Sequence, residues 1–175
     1  HYQPSSYYIP LASAGPDTTS ATAAGGILAL IENPDEWRKL KANPALVSSA
    51  VDEMVRWVSP VKHFFRTATE DYVLRGKQIK AGDHLLMAYP SANRDEEVFD
   101  APFEFRVDRQ SNRHVGFGYG AHACLGMFMA KIELQHLFRQ LVTRVDSFAL
   151  NGTPAWVETS FVGGLKRLPV RVTMQ

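Results

Sequence analysis

Apolar positions along the chain follow two different periods. From about residue 7 to 31 the sequence is rich in Ala, Thr and aliphatic residues, and Ile27, Leu28, Leu30 and Ile31 recur at helical spacing. The pattern predicts one helix, interrupted near its middle. Asn33-Pro34-Asp35-Glu36 then predicts a restart: Asn33 can cap, Pro34 suits the first helical position and Glu36 completes a capping box. The short helix so started runs to about Lys41. Asn43-Pro44 repeats the signal, and Leu46, Val47, Ala50, Val51, Met54, Trp57 and Val58 line one broad stripe, which predicts a buried helix stopped by Ser59-Pro60.

Beyond Lys62 the period changes. Tyr72-Val73-Leu74, a turn at Arg75-Gly76-Lys77 and Ile79 predict a hairpin, and residues 84–89 a further strand. Residues 91–113 carry Asn, Asp, Arg and Pro-Phe pairs with little periodicity, which predicts loop with short helical turns. A glycine-spaced turn leads into a helix over 125–142, with Phe128, Leu134, Leu137, Phe138 and Leu141 on one side. Strands over 145–150 and 168–173 close the chain. The sequence holds no internal repeat, low-complexity tract or linker, so the elements read as one unit, mainly α with small β-sheets.

Composition narrows the function classes. The 175 residues are 45% hydrophobic and 21% charged, the range of an ordinary globular domain. Nineteen Lys and Arg stand against 18 Asp and Glu, so net charge offers no reason to expect nucleic acid or an anionic membrane as partner. No run reaches the length of a spanning helix and the first residues lack a signal peptide's apolar core, which makes a cytoplasmic protein the expectation. The chain starts at His1 rather than Met, consistent with a partial sequence. One cysteine cannot form an internal disulfide, so its thiol is a buried small hydrophobe, a nucleophile or a metal ligand.

That cysteine stands in Phe117-Gly118-Tyr119-Gly120-Ala121-His122-Ala123-Cys124-Leu125-Gly126, at the predicted start of a helix behind two spaced glycines. Unpaired backbone N–H groups and the helix dipole there favour a thiolate. Gly118 and Gly120 let the backbone turn tightly beside a planar ligand. Elsewhere, Glu53 and Arg56 lie three apart on the apolar helix and can pair. Asp17 and Thr18, in Ala14-Gly15-Pro16-Asp17-Thr18-Thr19, are an acid and an alcohol that by themselves can cap or bend a helix.

These segments resemble the cytochrome P450 family: the first matches its Phe-Gly-x-Gly-x-His-x-Cys-x-Gly signature residue for residue. The second matches its Glu-x-x-Arg, and the third its Ala-Gly-x-Asp-Thr-Thr oxygen-activation motif. The resemblance runs from about Tyr7 to the end and implies the C-terminal part of the P450 fold. Residues 1–175 would be a single partial domain, starting at the distal oxygen-activation helix and lacking the N-terminal half.

The resemblance implies haem b as cofactor, with Cys124 as the iron ligand, His122 and Arg66 on its propionates, and Phe117, Gly118 and Gly126 among the cofactor-binding positions. Glu53, Arg56 and Arg109 would form a buried network holding the cysteine loop. Asp17 and Thr18 would be catalytic, moving protons during oxygen activation. Pro16 departs from ordinary helix chemistry there, since a proline inside a helix costs about 3 kcal/mol.

Ala14, Val61, Phe64, Phe65 and Phe161 fall where the family's elements touch substrate, although core packing explains aromatics equally well. Pro60-Val61-Lys62, Tyr89-Pro90-Ser91-Ala92-Asn93-Arg94-Asp95 and Phe161-Val162-Gly163-Gly164 are most similar to soluble bacterial members that oxidise terpenes. The implied activity is insertion of one oxygen atom of O2 into a small apolar substrate, with electrons from ferredoxin and ferredoxin reductase. Between residues 106 and 144, Arg106, Arg109, Arg113, Lys131, Arg139 and Arg144 outnumber Asp108 and Glu133, a surplus that either steers an acidic ferredoxin or simply solvates a helix face. A non-catalytic haem-binding or structural remnant is the alternative from another class; thiolate-haem peroxygenase or isomerase chemistry is a third.

Overall fold

The computed structural model describes residues 5–175, with the backbone alone at 5–7 and 9–11. Helix α1 (Ser5–Glu32) is followed by α2 (Pro34–Ala42), a 3-10 turn (Pro44–Leu46) and α3 (Val47–Val58). The two-stranded pairs begin with β1 (His63–Thr67), then β2 (Tyr72–Leu74) and β3 (Lys77–Ile79), then β4 (His84–Ala88). A short helix α4 (Tyr89–Ala92) opens a long irregular stretch that ends at helix α5 (Met127–Arg144). Strands β5 (Val145–Leu150), β6 (Ala155–Trp156), β7 (Leu165–Arg167) and β8 (Val170–Met174) complete the order.

The core lies where α1, α2, α3 and α5 meet, and Leu30, Leu40, Ala50, Val51, Met54, Leu134 and Phe138 are almost wholly buried there. Close approach of α1 to α3 depends on glycine. A Cβ at Gly26 would come within 2.7 Å of Met54 Sδ and 3.3 Å of Phe138 Cζ. We expect Gly26→Ala to lower stability by about 1 to 3 kcal/mol through overpacking, outweighing its better helix propensity of about 1 kcal/mol. Urea unfolding of the two chains measures the difference.

Four antiparallel pairs flank this core: β1 with β4, β2 with β3, β5 with β8 and β6 with β7. Phe64 stands opposite Met87 in the first pair. The β2–β3 hairpin turns on Arg75 (φ 47°) and Gly76 (φ 77°), the two positive values that match strand twist.

Several local expectations are corrected. Helix α1 is continuous through Pro16, because residues 12–17 are exposed and water can satisfy the carbonyl the proline leaves free. Asn33 does not cap α2. Its Nδ2 donates back to Ala29 O (2.8 Å), while the Glu36 carboxylate accepts from Lys39 Nζ (2.8 Å) and Val107 N (2.7 Å) instead of closing a box. Helix α5 starts at Met127, two residues late, and its buried stripe is Leu134, Phe138 and Val142. Phe128 lies six positions before Leu134, about 240° around the helix, and is 73% exposed. Leu137, at 39%, sits on the edge of the stripe. Strands β6 and β7 carry too few residues to show a period of two. No helix among the described residues is long and apolar enough to cross a membrane.

Candidate functional site

The loop before α5 is built from backbone bonds. Gly118 N–H donates to Val115 O (2.8 Å), Ala123 N–H to Gly120 O (3.0 Å) and Cys124 N–H to Phe117 O (2.8 Å). Gly118 has φ 71°, and a Cβ there would meet His122 O at 2.9 Å, so only glycine closes this turn. His122 ends a 3-10 turn (Gly120–His122), and both it and Cys124 are exposed. The cysteine stands three residues before α5 rather than at its first turn; Met127 N–H reaches back to Cys124 O (3.3 Å). Gly126 leaves space beside the sulfur, since a Cβ there would lie 3.9 Å from Sγ. Tyr119, Leu125 and Phe128 form exposed apolar surroundings.

Behind the loop lies a charged cluster in the core. Glu53 and Arg56 are both fully buried. Glu53 Oε1 accepts from Arg56 Nη2 (2.7 Å) and Arg106 N (2.9 Å). Its Oε2 accepts from Arg56 Nε (2.7 Å), Arg109 Nε (2.9 Å) and Asn112 Nδ2 (3.1 Å). Arg56 spends its remaining donors on the carbonyls of Asn93 (2.8 Å), Pro102 (2.8 Å) and Glu104 (3.0 Å). Arg109 does the same with Asp100 (2.5 Å), Ala101 (3.1 Å) and Glu104 (2.8 Å). Every side-chain nitrogen and oxygen of Glu53, Arg56 and Arg109 has a partner, which is the condition under which buried charge is tolerated. The cluster thereby ties α3 to the irregular stretch that delivers the cysteine.

Sequence reasoning missed the side chains that carry this hold to the loop. Buried Asn93 receives Val115 N–H on Oδ1 (2.8 Å) and donates Nδ2 to Ser59 Oγ (2.8 Å). Asn112 extends the Glu53 cluster. Asp52, next to Glu53, faces Lys131 of α5 at 2.7 Å. The available signal was an asparagine inside an otherwise charged stretch, Asn93-Arg94-Asp95, whose role depends on contacts distant in sequence.

Burial pushes the Asp52 carboxyl up, but the facing His114 and Lys131 outweigh it and hold it below the ordinary 3.8. A lowered folded value stabilises the fold above the unfolded value, and the contribution is lost as pH falls through the folded one. We therefore expect the stability gap between the native chain and Asp52→Asn to be full above about pH 4 and to close at lower pH. Urea titrations at a series of pH values read it directly.

The remaining predicted positions divide into two groups. On α1, Thr18 Oγ1 donates to Ala14 O (2.8 Å), and Ala14 and Asp17 are exposed. At β1, Val61 pairs with Val162, Lys62 N–H donates to Phe161 O (2.8 Å), and the Phe64 and Phe161 rings meet edge to face at 5.4 Å. Phe65 alternates to the other face of β1 and approaches His63 (5.3 Å). Arg66, on the Phe64 side, donates Nη1 to Phe65 O (2.8 Å).

The basic surplus around the loop is smaller than its sequence count. Arg106 pairs with Asp100 (3.0 Å), Arg109 with Glu53 and Lys131 with Asp52, which leaves Arg113, Arg139 and Arg144 exposed.

These residues suit a haem. Among the described residues no cluster of three or more His, Cys, Asp or Glu could hold a metal. The soft sulfur, its exposed apolar neighbours, and an imidazole and a guanidinium for carboxylates are the donor set such a group requires.

The comparisons agree. The family model described as Cytochrome P450 matches residues 42–161. Cytochrome P450-terp of a Pseudomonas species is 50% identical over 95% of this chain and 39% of its own length. A steroid C26-monooxygenase of Mycolicibacterium smegmatis is 39% identical over 91% of this chain and 40% of its own. The crystal structure of CYP108D1 from Novosphingobium aromaticivorans superposes with a TM-score of 0.90 at 47% identity, covering 97% of this chain and 41% of that one. The chain thus spans about two fifths of the length of these relatives. With the signature loop, the buried Glu53 cluster and the mixed helix and small-sheet fold in agreement with these matches, the chain belongs to the cytochrome P450 family.

Proposed function

We propose that the protein to which this chain belongs is a haem-thiolate monooxygenase that inserts one oxygen atom of O2 into a small apolar substrate of terpene or alkylaromatic type. The observation that carries the reading is the exposed cysteine on a loop fixed by backbone bonds and tied through Asn93 to a buried, fully paired Glu53–Arg56–Arg109 cluster. Cys124 holds the iron, His122 and Arg66 hold the propionates, and Phe117, Gly118 and Gly126 shape the loop beside the cofactor. Haem b bound by a thiolate supplies the activation of O2. Thr18 and Asp17 pass protons from α1, the hydroxyl turning from its bond to Ala14 O to do so.

Phe64 and Phe161 meet in an apolar wall beside the Val61–Val162 bridge, with Ala14 completing the substrate side, while Phe65 lies on the opposite face of β1. The 50% identity with P450-terp supports a terpene-like substrate over a steroid. Electrons come from a ferredoxin and its reductase, toward which Arg113, Arg139 and Arg144 present positive charge. One observation favours the non-catalytic haem-binding reading: the bond from Thr18 to Ala14 O is also what a purely helix-bending hydroxyl makes.

The test gives the complete protein ferredoxin, reductase, labelled O2, and terpene, alkylaromatic and steroid candidates. Label in a hydroxylated terpene or alkylaromatic supports the reading. Labelled steroid alone overturns the substrate class. A thiolate-type spectrum with O2 consumed and no hydroxylated product overturns the monooxygenase activity, and the same spectrum with no O2 consumed overturns it in favour of the non-catalytic reading.

A further inference from the structure

The segment entering the cysteine loop is held from behind by a histidine that the chemistry above does not use. The His114 side chain is 5% exposed. Gly116 N–H donates to its Nδ1 at 3.2 Å. A nitrogen that accepts carries no proton, which assigns the ring to the tautomer protonated on Nε2. Nε2 faces Asp52 Oδ1 at 3.6 Å, and the same oxygen meets Lys131 Nζ at 2.7 Å. The His114 ring also packs tilted against Phe117, 5.7 Å between centroids, and Lys131 Nζ lies 5.8 Å from that phenyl centroid. Phe117 O receives the N–H of Cys124. One imidazole thus touches α3, the entering segment, and the aromatic residue whose backbone fixes the cysteine.

Close approach makes the contact specific. A Cβ at Gly116 would stand 2.7 Å from Val55 Cγ1 and 3.3 Å from Val55 O, so the segment lies directly on α3 with no space to shift inward. The Gly116 N–H so placed needs an acceptor from the protein, and His114 Nδ1 is that acceptor. Glu53, the neighbouring acid on α3, is turned to Arg56 and Arg109, while Arg113 is exposed. A residue present only to fill volume would need neither ring nitrogen.

We propose that His114 is a positioning residue for Cys124: its Nδ1 takes the Gly116 N–H while the far end of the ring packs 3.6 Å from the Asp52 carboxylate, beyond hydrogen-bond reach, so that the ring spans from the entering segment to α3, where Asp52 pairs with Lys131 of α5. The assignment takes Cys124 as the iron ligand, while the ring's own contacts are read on the chain without haem. His114→Phe keeps a ring against Phe117 and removes both nitrogens. Amide hydrogen exchange is expected to accelerate at least tenfold at Gly118 and Cys124 in this variant, with Val51 and Met54 in α3 unchanged within about twofold. His114→Asn restores an acceptor near Gly116 and is expected to bring the loop amides back to within about threefold of the native chain.

Loop amides unchanged in His114→Phe, equal acceleration at Val51 and Met54, or no recovery in His114→Asn each overturns the proposal. If His114→Phe does not fold, Asp52→Ala removes the carboxylate at the far end of the ring and is judged on the same amides by the same criteria. Failure here leaves thiolate ligation standing, because that reading is tested separately by the spectrum of Cys124→Ser.

Discussion

Glu53→Leu is expected to destabilise the chain by about 3 to 5 kcal/mol, a large share of the 5 to 15 kcal/mol that holds an ordinary domain together. The reason is what the substitution leaves behind. Arg56 and Arg109 keep their carbonyl partners but lose the carboxylate that balances them both, at positions 0% and 5% exposed. Two further donors, Arg106 N and Asn112 Nδ2, lose their acceptor as well. Neither guanidinium can move to water without dismantling the stretch from Asn93 to Asn112, whose carbonyls they bind.

Glu53→Gln is expected to cost less, about 1.5 to 3 kcal/mol, since one oxygen still accepts while the new NH2 faces donors. Urea unfolding followed by the fluorescence of Trp37 and Trp57 measures both. A loss below about 1 kcal/mol in Glu53→Leu would show that the cluster is not what holds the loop, because an unpaired buried guanidinium cannot be that inexpensive.

The same cluster shows what was legible in the sequence. Glu53 and Arg56 could be paired on paper because a helix sets residues three apart side by side, and the apolar stripe around them required the pair to be buried. Helices α2 and α3 and the β2–β3 hairpin were legible for the same reason, each being set by spacing within a dozen residues, and α1 was legible except for the interruption expected near its middle. Asn93 and His114 were not. Their partners, Val115, Ser59 and Asp52, come from separate elements, and no local pattern distinguishes a polar side chain that will be buried from one that will be solvated.

Where local rules did mislead, a tertiary or neighbouring partner had displaced the local one. Asn33 found Ala29 O and Glu36 found Val107 N, and a capping box that satisfied every sequence criterion did not form. The basic surplus near the loop shrank likewise, since counting charges does not reveal that Arg109 and Lys131 already face acids. Family motifs supplied what spacing could not: a lone cysteine is ambiguous by count, and it is the resemblance of its company that makes it the proposed iron ligand.

Cys124→Ser is expected to leave the fold intact and abolish the thiolate chemistry. The side chain is exposed, and the bond that places the residue runs from its backbone N–H to Phe117 O, so the substitution should change stability by no more than about 0.5 kcal/mol. Serine has nearly the same size, yet its hydroxyl is a hard, neutral oxygen at neutral pH, where a cysteine can present a soft anionic sulfur. The reduced carbon monoxide spectrum of the haem-loaded protein should accordingly lose its thiolate-type Soret band. Turnover should fall by more than the roughly 10- to 100-fold that loss of a supporting partner costs. His122→Ala is the informative contrast, because the propionate partner proposed at His122 would affect how tightly haem is held without changing what binds iron. Its thiolate-type band should persist at lower haem occupancy. A thiolate-type band surviving in Cys124→Ser would remove Cys124 from the iron, since the chain has no second cysteine to replace it.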